Sequence, residues 1–144
     1  MDATLRVRRA RRTDFERVRV LLERQGASAR AERKRFRRLV STLREDLYLA
    51  ERIDDSTLVG LAVLAYTRGL GPPTATIRRL VTTSSAATTL LLDCARARAR
   101  ARDCSQLELQ LERRANDLGP SLAETLAHDG WTEGPRVLCR QVSE

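Results

Sequence analysis

Apolar and polar residues alternate from Thr4 to Arg9, with Leu5 and Val7 set against Arg6 and Arg8, the period-two pattern of a half-exposed strand. Thr13 followed by Glu16 has the spacing of a capping box and predicts a helix whose inner face is Phe15, Val18, Leu21 and Leu22. Gly26 and Ser28 interrupt it. Phe36, Leu39, Val40, Leu43 and Leu47 then recur at three- and four-residue spacing, which predicts a second helix. Strands are predicted over 48–52 and 58–66, joined by the turn formers Asp54, Asp55 and Ser56, and Gly69 to Pro73 leads into another strand over 74–81. Between about residues 86 and 102 the Arg-Ala repeat alternates like a strand. Ala and Arg are strong helix formers, however, and Leu90, Leu91, Cys94, Ala97 and Ala101 form a stripe at helical spacing, so this segment is predicted to be a helix. A strand over 106–111, a helix over 121–129 stopped by Gly130, and closing strands over 131–133 and 137–142 complete the pattern.

The resulting order (β, α, α, β, β, β, α, β, α, β and a further β) predicts an α/β fold with a mixed sheet and helices on both faces. The 144 residues suit one domain with a single hydrophobic core. No apolar run is long enough to span a bilayer, and the charged N-terminus lacks an apolar signal core, so the expectation is a cytoplasmic protein. Cys94, Cys104 and Cys139 are odd in number and show no C-x-x-C pair, which fits small buried thiols rather than a disulfide framework. A zinc site is not expected, because one histidine and three widely separated cysteines lack paired ligand spacing.

The formal charge is +8 and Lys34 is the only lysine, so nearly all the cationic charge is arginine. Phe15, Phe36, Tyr48, Tyr66 and Trp131 are scattered and never interleave with the basic clusters, so arginine as solvated helix cover is preferred over a polyanion-binding surface. Solvated helix cover is the preferred role for Arg96, Arg98, Arg100 and Arg102, with a docking surface for a protein partner second. His128, beside Asp129 on the last predicted helix, reads as a surface residue.

The strand Ile77-Arg-Arg-Leu-Val81, the helix containing Leu91-Leu-Asp-Cys-Ala-Arg, the strand containing Gln106-Leu-Glu-Leu and the segment Leu126-Ala-His-Asp-Gly-Trp131 together resemble the core of the GCN5-related N-acetyltransferases (GNAT). The resemblance extends in the same order over nearly the whole chain. It implies a mixed, mostly antiparallel sheet of six to seven strands with helices on both faces. It also implies acetyl-CoA as cofactor, its pantetheine arm lying along Leu80, Val81 and Leu109. In the family, the loop after the fourth strand carries Arg/Gln-x-x-Gly-x-Gly/Ala, whose backbone N–H groups hold the pyrophosphate at the helix N-terminus.

Three departures bear on chemistry. The loop Thr82-Thr-Ser-Ser-Ala-Ala-Thr-Thr89 has no glycine and no basic residue, and is about four residues shorter than the motif needs. Ser84, Ser85, Thr88 and Thr89, with Thr82, could offer hydroxyls to a phosphate, but hydroxyl residues ahead of a helix more commonly cap it. Leu126 stands where many family members carry a tyrosine that protonates the departing thiolate. The strand 74–81 has no carboxylate to accept the amine proton. Glu108 and Glu112 are the nearest substitutes, with Asp46 and Glu51 weaker ones.

These losses lead to the expectation of a catalytically degenerate GNAT-like binding or regulatory module with no cofactor. The alternative is a divergent, active acetyl-CoA-dependent N-acetyltransferase acting on a small-molecule or protein amine. Either leaves room for a homodimer or a protein partner. A membrane is not expected as a partner, and nucleic acid is held as the least favoured one.

Overall fold

Sheet neighbours follow chain order. The structure, a computed structural model, describes residues 4–23, 29–110 and 120–132. Among them are β1 (Leu5–Arg9), α1 (Phe15–Glu23), α2 (Ala29–Ser41), β2 (Glu45–Arg52), β3 (Leu58–Thr67), β4 (Thr74–Thr82), α3 (Ser85–Ala101), β5 (Gln106–Leu109) and α4 (Pro120–His128). The five strands form one sheet in the order β1-β2-β3-β4-β5, antiparallel throughout except for the parallel pair β4–β5. Residues 1–112 and 113–144 form two compact units; the sheet belongs to the first and α4 to the second.

The sheet therefore has five strands among the described residues, against the expected six to seven. Trp131 and Thr132 are not in a strand, and the remainder of the two predicted closing strands, from Glu133 onward, lies outside the described residues.

Strand alternation divides the core into two layers. Leu47, Leu49, Leu61 and Val63 face α1 and α2 and pack with Phe15, Val18, Leu21, Leu22 and Phe36. The opposite face receives α3, through Ala87, Leu91, Leu92, Ala95 and Ala99. The expectation of helices on both faces of a mixed sheet is met. The stripe predicted for α3 is corrected, since Ala97 and Ala101 are exposed while Leu92, Ala95 and Ala99 are buried. An Arg-Ala repeat places a small residue on every side of the helix, so its inner face is chosen by partners in the sheet and not by hydrophobic pattern.

Two further boundaries differ from expectation. The helix α2 ends at Ser41, whose hydroxyl donates to the Arg37 carbonyl at 2.7 Å; Leu43 is exposed and Leu47 belongs to β2. A four-residue step satisfies helical and strand periods alike, which is why Leu43 and Leu47 extended the helical pattern. The entry to α1 is not capped by Thr13 and Glu16. A 3-10 turn at Arg12–Asp14 precedes the helix, and the Asp14 carboxylate accepts the Arg11 N–H at 2.7 Å. Glu16 instead pairs with Arg19 and Arg33. At the other end of the chain, α4 stops at Gly130 (φ +80°), with the Trp131 N–H returning to the Leu126 carbonyl at 3.0 Å.

Buried carboxylates pin the sheet to its helices. Glu51 accepts from Arg6 Nε at 2.7 Å, Arg8 Nε at 3.0 Å and Arg17 Nη2 at 3.0 Å, while Arg8 also grips Asp14 through both terminal nitrogens, at 2.8 and 2.7 Å. On the α3 face Asp46 accepts from Arg9 Nη2 and the Tyr66 hydroxyl, each at 2.6 Å, and Arg98 and Arg102 stand 3.7 and 3.9 Å away. Charges taken out of water are costly unless paired, and here each carboxylate meets more than one cation. Arg98 and Arg102 are thus not plain solvated cover, as the sequence suggested. Asp46 draws both towards the sheet, and Arg102 lies over the Tyr66 ring at 4.4 Å.

Candidate functional site: the open end of β4 and the start of α3

Hydrogen bonding along β4 is asymmetric. On one side it pairs with β3 over its full length, from Thr74 to Thr82. On the other, among the described residues, β5 follows it from Thr74 to Ile77, and the Gln110 N–H donates to the Ile77 carbonyl at 2.9 Å. Beyond Ile77 the edge of β4 has no β5 partner among the described residues. A bulge falls at the same point: Val63 opposes Arg79 and Leu64 opposes Ile77, leaving Arg78 without an opposite number. An extra residue in one strand bends it and increases its twist locally. Leu80, Val81 and Thr82 therefore lie on a stretch of strand with one edge unpaired among the described residues.

The helix α3 begins almost at once, since only Thr83 and Ser84 separate it from β4. Ser84 is the N-cap: its backbone is extended (φ −150°, ψ 155°) and its hydroxyl accepts the Ala87 N–H at 3.2 Å. Thr88 is buried, its hydroxyl donating to the Ser84 carbonyl at 3.1 Å. That leaves Thr82 as donor in the 2.7 Å contact between the Thr82 and Thr88 hydroxyls. Thr83 donates its N–H to the Val59 carbonyl at 2.9 Å, tying the turn to β3. Of the hydroxyls singled out from sequence, Ser84, Thr82 and Thr88 are committed to joining strand and helix, while Ser85 and Thr89 are exposed.

A coenzyme A diphosphate needs free helix-terminal N–H groups, a close backbone approach and preferably a cation. This corner spends one such N–H on its own cap, has side chains where glycines would allow approach, and holds no basic residue between Val81 and Leu92. The residues present do not fit the group.

Among the carboxylates, Glu108 is exposed and level with Thr76, two residues before the bulge, on the face that carries α1 and α2. Glu112 lies outside the described residues. Asp46 and Glu51 lie in the two buried ion-pair clusters. The three arginines around Glu51 hold its carboxyl at about 2, below its ordinary value, with the Arg8 hydrogen bond the largest cause. A carboxylate held this firmly in its ionised form is a poor proton acceptor. Cys94 is half-buried and burial pushes its thiol up, away from a reactive thiolate. His128 is exposed on α4, and Leu126 is buried, with no proton to give. No helix of the described residues is long and apolar enough to cross a membrane.

A cavity of about 60 Å³ lies beneath α1 and α2, lined by apolar side chains and by Glu32, Arg35 and Arg79. It is far below the roughly 300 Å³ at which drug-sized ligands are enclosed. The ion-pair clusters and the Thr82–Thr88 bond are features that the sequence reading missed. Glu51 is 34 to 45 positions from its arginines, so no local pattern announces the contact.

No protein-family model matches the chain, and no curated protein matches it. Solved structures do. A transcriptional regulator from Bacillus halodurans superposes with a TM-score of 0.81 at 18% identity, covering 96% of this chain and 100% of the other. A GNAT family acetyltransferase from Staphylococcus aureus gives 0.75 at 15% identity, covering 96% and 99%. An aminoglycoside N-acetyltransferase solved in complex with CoA gives 0.80 at 12% identity, covering 99% and 97%. With the parallel β4–β5 pair, the bulge in β4 and α3 packed on the sheet, these likenesses show that the chain has the fold of the GNAT acetyltransferases.

Proposed function

We propose that this chain is a GNAT-fold binding or regulatory module that has given up acetyl transfer. The observation that carries this reading is the self-closed corner between β4 and α3. A two-residue connection, a serine cap and a threonine pair occupy the place where an acyl-CoA enzyme offers its diphosphate a ring of amides. The buried Leu126 and the carboxylate-free β4 support the same reading, because neither a thiolate acid nor a strand base is then at hand. A fold carries no function by itself, and the site has to supply it. That a transcriptional regulator stands among the structural neighbours is in keeping with a regulatory role on this scaffold.

The test is calorimetric titration of acetyl-CoA, and separately of desulfo-coenzyme A, into the purified protein at moderate salt. The expected result is no saturable heat up to about 1 mM ligand, which corresponds to less than about 4 kcal/mol of affinity. Stoichiometric, saturable heat from both ligands overturns the proposal.

One observation favours a second reading, a divergent but active N-acetyltransferase. Among the described residues β4 has no β5 partner beyond Ile77 and carries the bulge at Arg78, and Leu80 and Val81 could line a pantetheine arm. In that case Ser85 and Thr89 would face the phosphates and Glu108 or Glu112 would take the amine proton, while positioning of the two reactants did most of the work. Release of free coenzyme A thiol in the presence of an amine panel supports this reading. Silence across a broad panel removes it.

A further inference from the structure

Part of the positive charge of this chain gathers on one helix face. Many of its acids are engaged in ion pairs: Glu51, Asp14 and Asp46 inside, and Glu16, Glu32, Glu45, Asp54, Asp55 and Asp93 outside. On the outer side of α2, Lys34, Arg37, Arg38 and Ser41 recur at spacings of three, four and seven, which places them on one stripe directly opposite the buried Phe36. Arg12 joins the stripe from the turn before α1, its Nη2 donating to the Ser41 hydroxyl at 3.2 Å. Lys34, Arg37, Arg38 and Arg12 are all exposed and have no carboxylate partner among the described residues. With Arg33, the α2 residues of the stripe border an open basin of about 410 Å³.

We propose that this face of α2 is a docking surface for the phosphate backbone of a nucleic-acid duplex. From Lys34 to Ser41 the stripe runs about 10 Å along the helix axis. A duplex carries one charge per roughly 1.7 Å of its own axis, so the stripe can meet several phosphates at once. The scarcity of aromatic residues counts against single strands, whose bases need stacking platforms, but leaves backbone contact to a duplex untouched. A protein partner would want an apolar anchor inside the basic patch. The large apolar side chains exposed among the described residues are Val20, Leu43, Ile53 and Leu70, and none of them borders this basin. The inference concerns a surface on α2 and is independent of whether the β4–α3 corner accepts coenzyme A.

The experiment is fluorescence anisotropy of a labelled 20-base-pair mixed-sequence DNA duplex, titrated with the full chain at several salt concentrations. Four phosphate contacts predict that log affinity falls against log salt with a slope of roughly 3 to 4. The variant Arg37→Gln/Arg38→Gln should reduce that slope by roughly 2 and weaken binding at low salt by tenfold or more. Arg68→Gln/Arg100→Gln removes the same charge from exposed arginines elsewhere and should leave the slope unchanged. Equal slopes for the two variants would assign binding to total charge and overturn the proposal. So would the absence of duplex binding at low salt, or a clear preference for polyglutamate over DNA, which points to an acidic protein instead. Circular dichroism of each variant shows that a changed slope does not come from unfolding.

Discussion

The hydroxyls of Thr82 and Thr88 meet at 2.7 Å, joining the last residue of β4 to the first turn of α3. With the Ser84 cap, this contact makes the corner a structural joint. Its residues should therefore show themselves in stability. Ser84→Ala should cost about 1 kcal/mol by loss of the cap. Thr88→Val, which leaves the Thr82 hydroxyl without its acceptor, should cost about 1 to 3 kcal/mol. Urea denaturation measures both. Adding coenzyme A should not shift the midpoint of the parent chain or of either variant; a shift seen in the parent and lost in Ser84→Ala would make the corner a ligand site.

Glu51 should dominate the acid limb of stability. Its folded carboxyl titrates at about 2, below its ordinary 4.5, because Arg8, Arg6 and Arg17 hold the ionised form. A lowered folded value means that the stabilisation is complete above about 4.5 and is lost as pH falls towards 2. The contribution is at most about 3 kcal/mol, since Arg6 and Arg17 are partly in solvent. Denaturation midpoints measured from pH 7 down to 2 should fall through that window. Glu51→Gln should lower stability at pH 7 by about 3 kcal/mol and flatten the fall.

The two tyrosines near Asp46 should resist ionisation. Tyr66 is pushed up by burial and by its bond to the Asp46 carboxylate, and Tyr48 by burial and the nearby Asp46 charge. An alkaline absorbance titration of the folded chain should show no tyrosinate at the ordinary value near 10, with both appearing later. Tyr66→Phe removes a 2.6 Å donor to a buried charge and should cost about 1.5 to 3 kcal/mol.

Gly60 is required by space. A Cβ there would stand 2.9 Å from Leu91 Cδ1, 3.2 Å from Thr82 Cγ2 and 3.2 Å from the Val81 carbonyl oxygen. Leu91 is buried, so its methyl can shift only against its packed neighbours, and the carbonyl belongs to the β3–β4 ladder. Gly60→Ala should cost about 1 to 3 kcal/mol in thermal or urea unfolding.

What could be read from the sequence divides along physical lines. β1, β5 and the inner face of α1 were legible because each repeats a single period over several residues. The start of β2 was hidden because Asp46, Tyr48 and Ala50 on one face are as buried as Leu47 and Leu49 on the other, so no alternation marks the strand. At the candidate site, the Ser84 cap was visible as a hydroxyl before a helix, and the structure bears it out. The partner of Thr82 was not, because a helical turn had to fold back before Thr88 came within reach. The clusters around Glu51 and Asp46 were hidden for a stronger reason: each gathers arginines from separate elements, and in a chain this rich in arginine no single one stands out.

The match between chain order and sheet order has a kinetic consequence. β2, β3 and β4 are joined by short connections and can pair as successive hairpins, whereas β1 and β5 reach the sheet only after long helical excursions. Closing a long loop costs entropy before any contact rewards it, so the middle strands are expected to pair first and the two outer ones to dock later. In that order the arginines of β1 on Glu51 would be a latch closed late, and releasing it should speed unfolding far more than it slows folding.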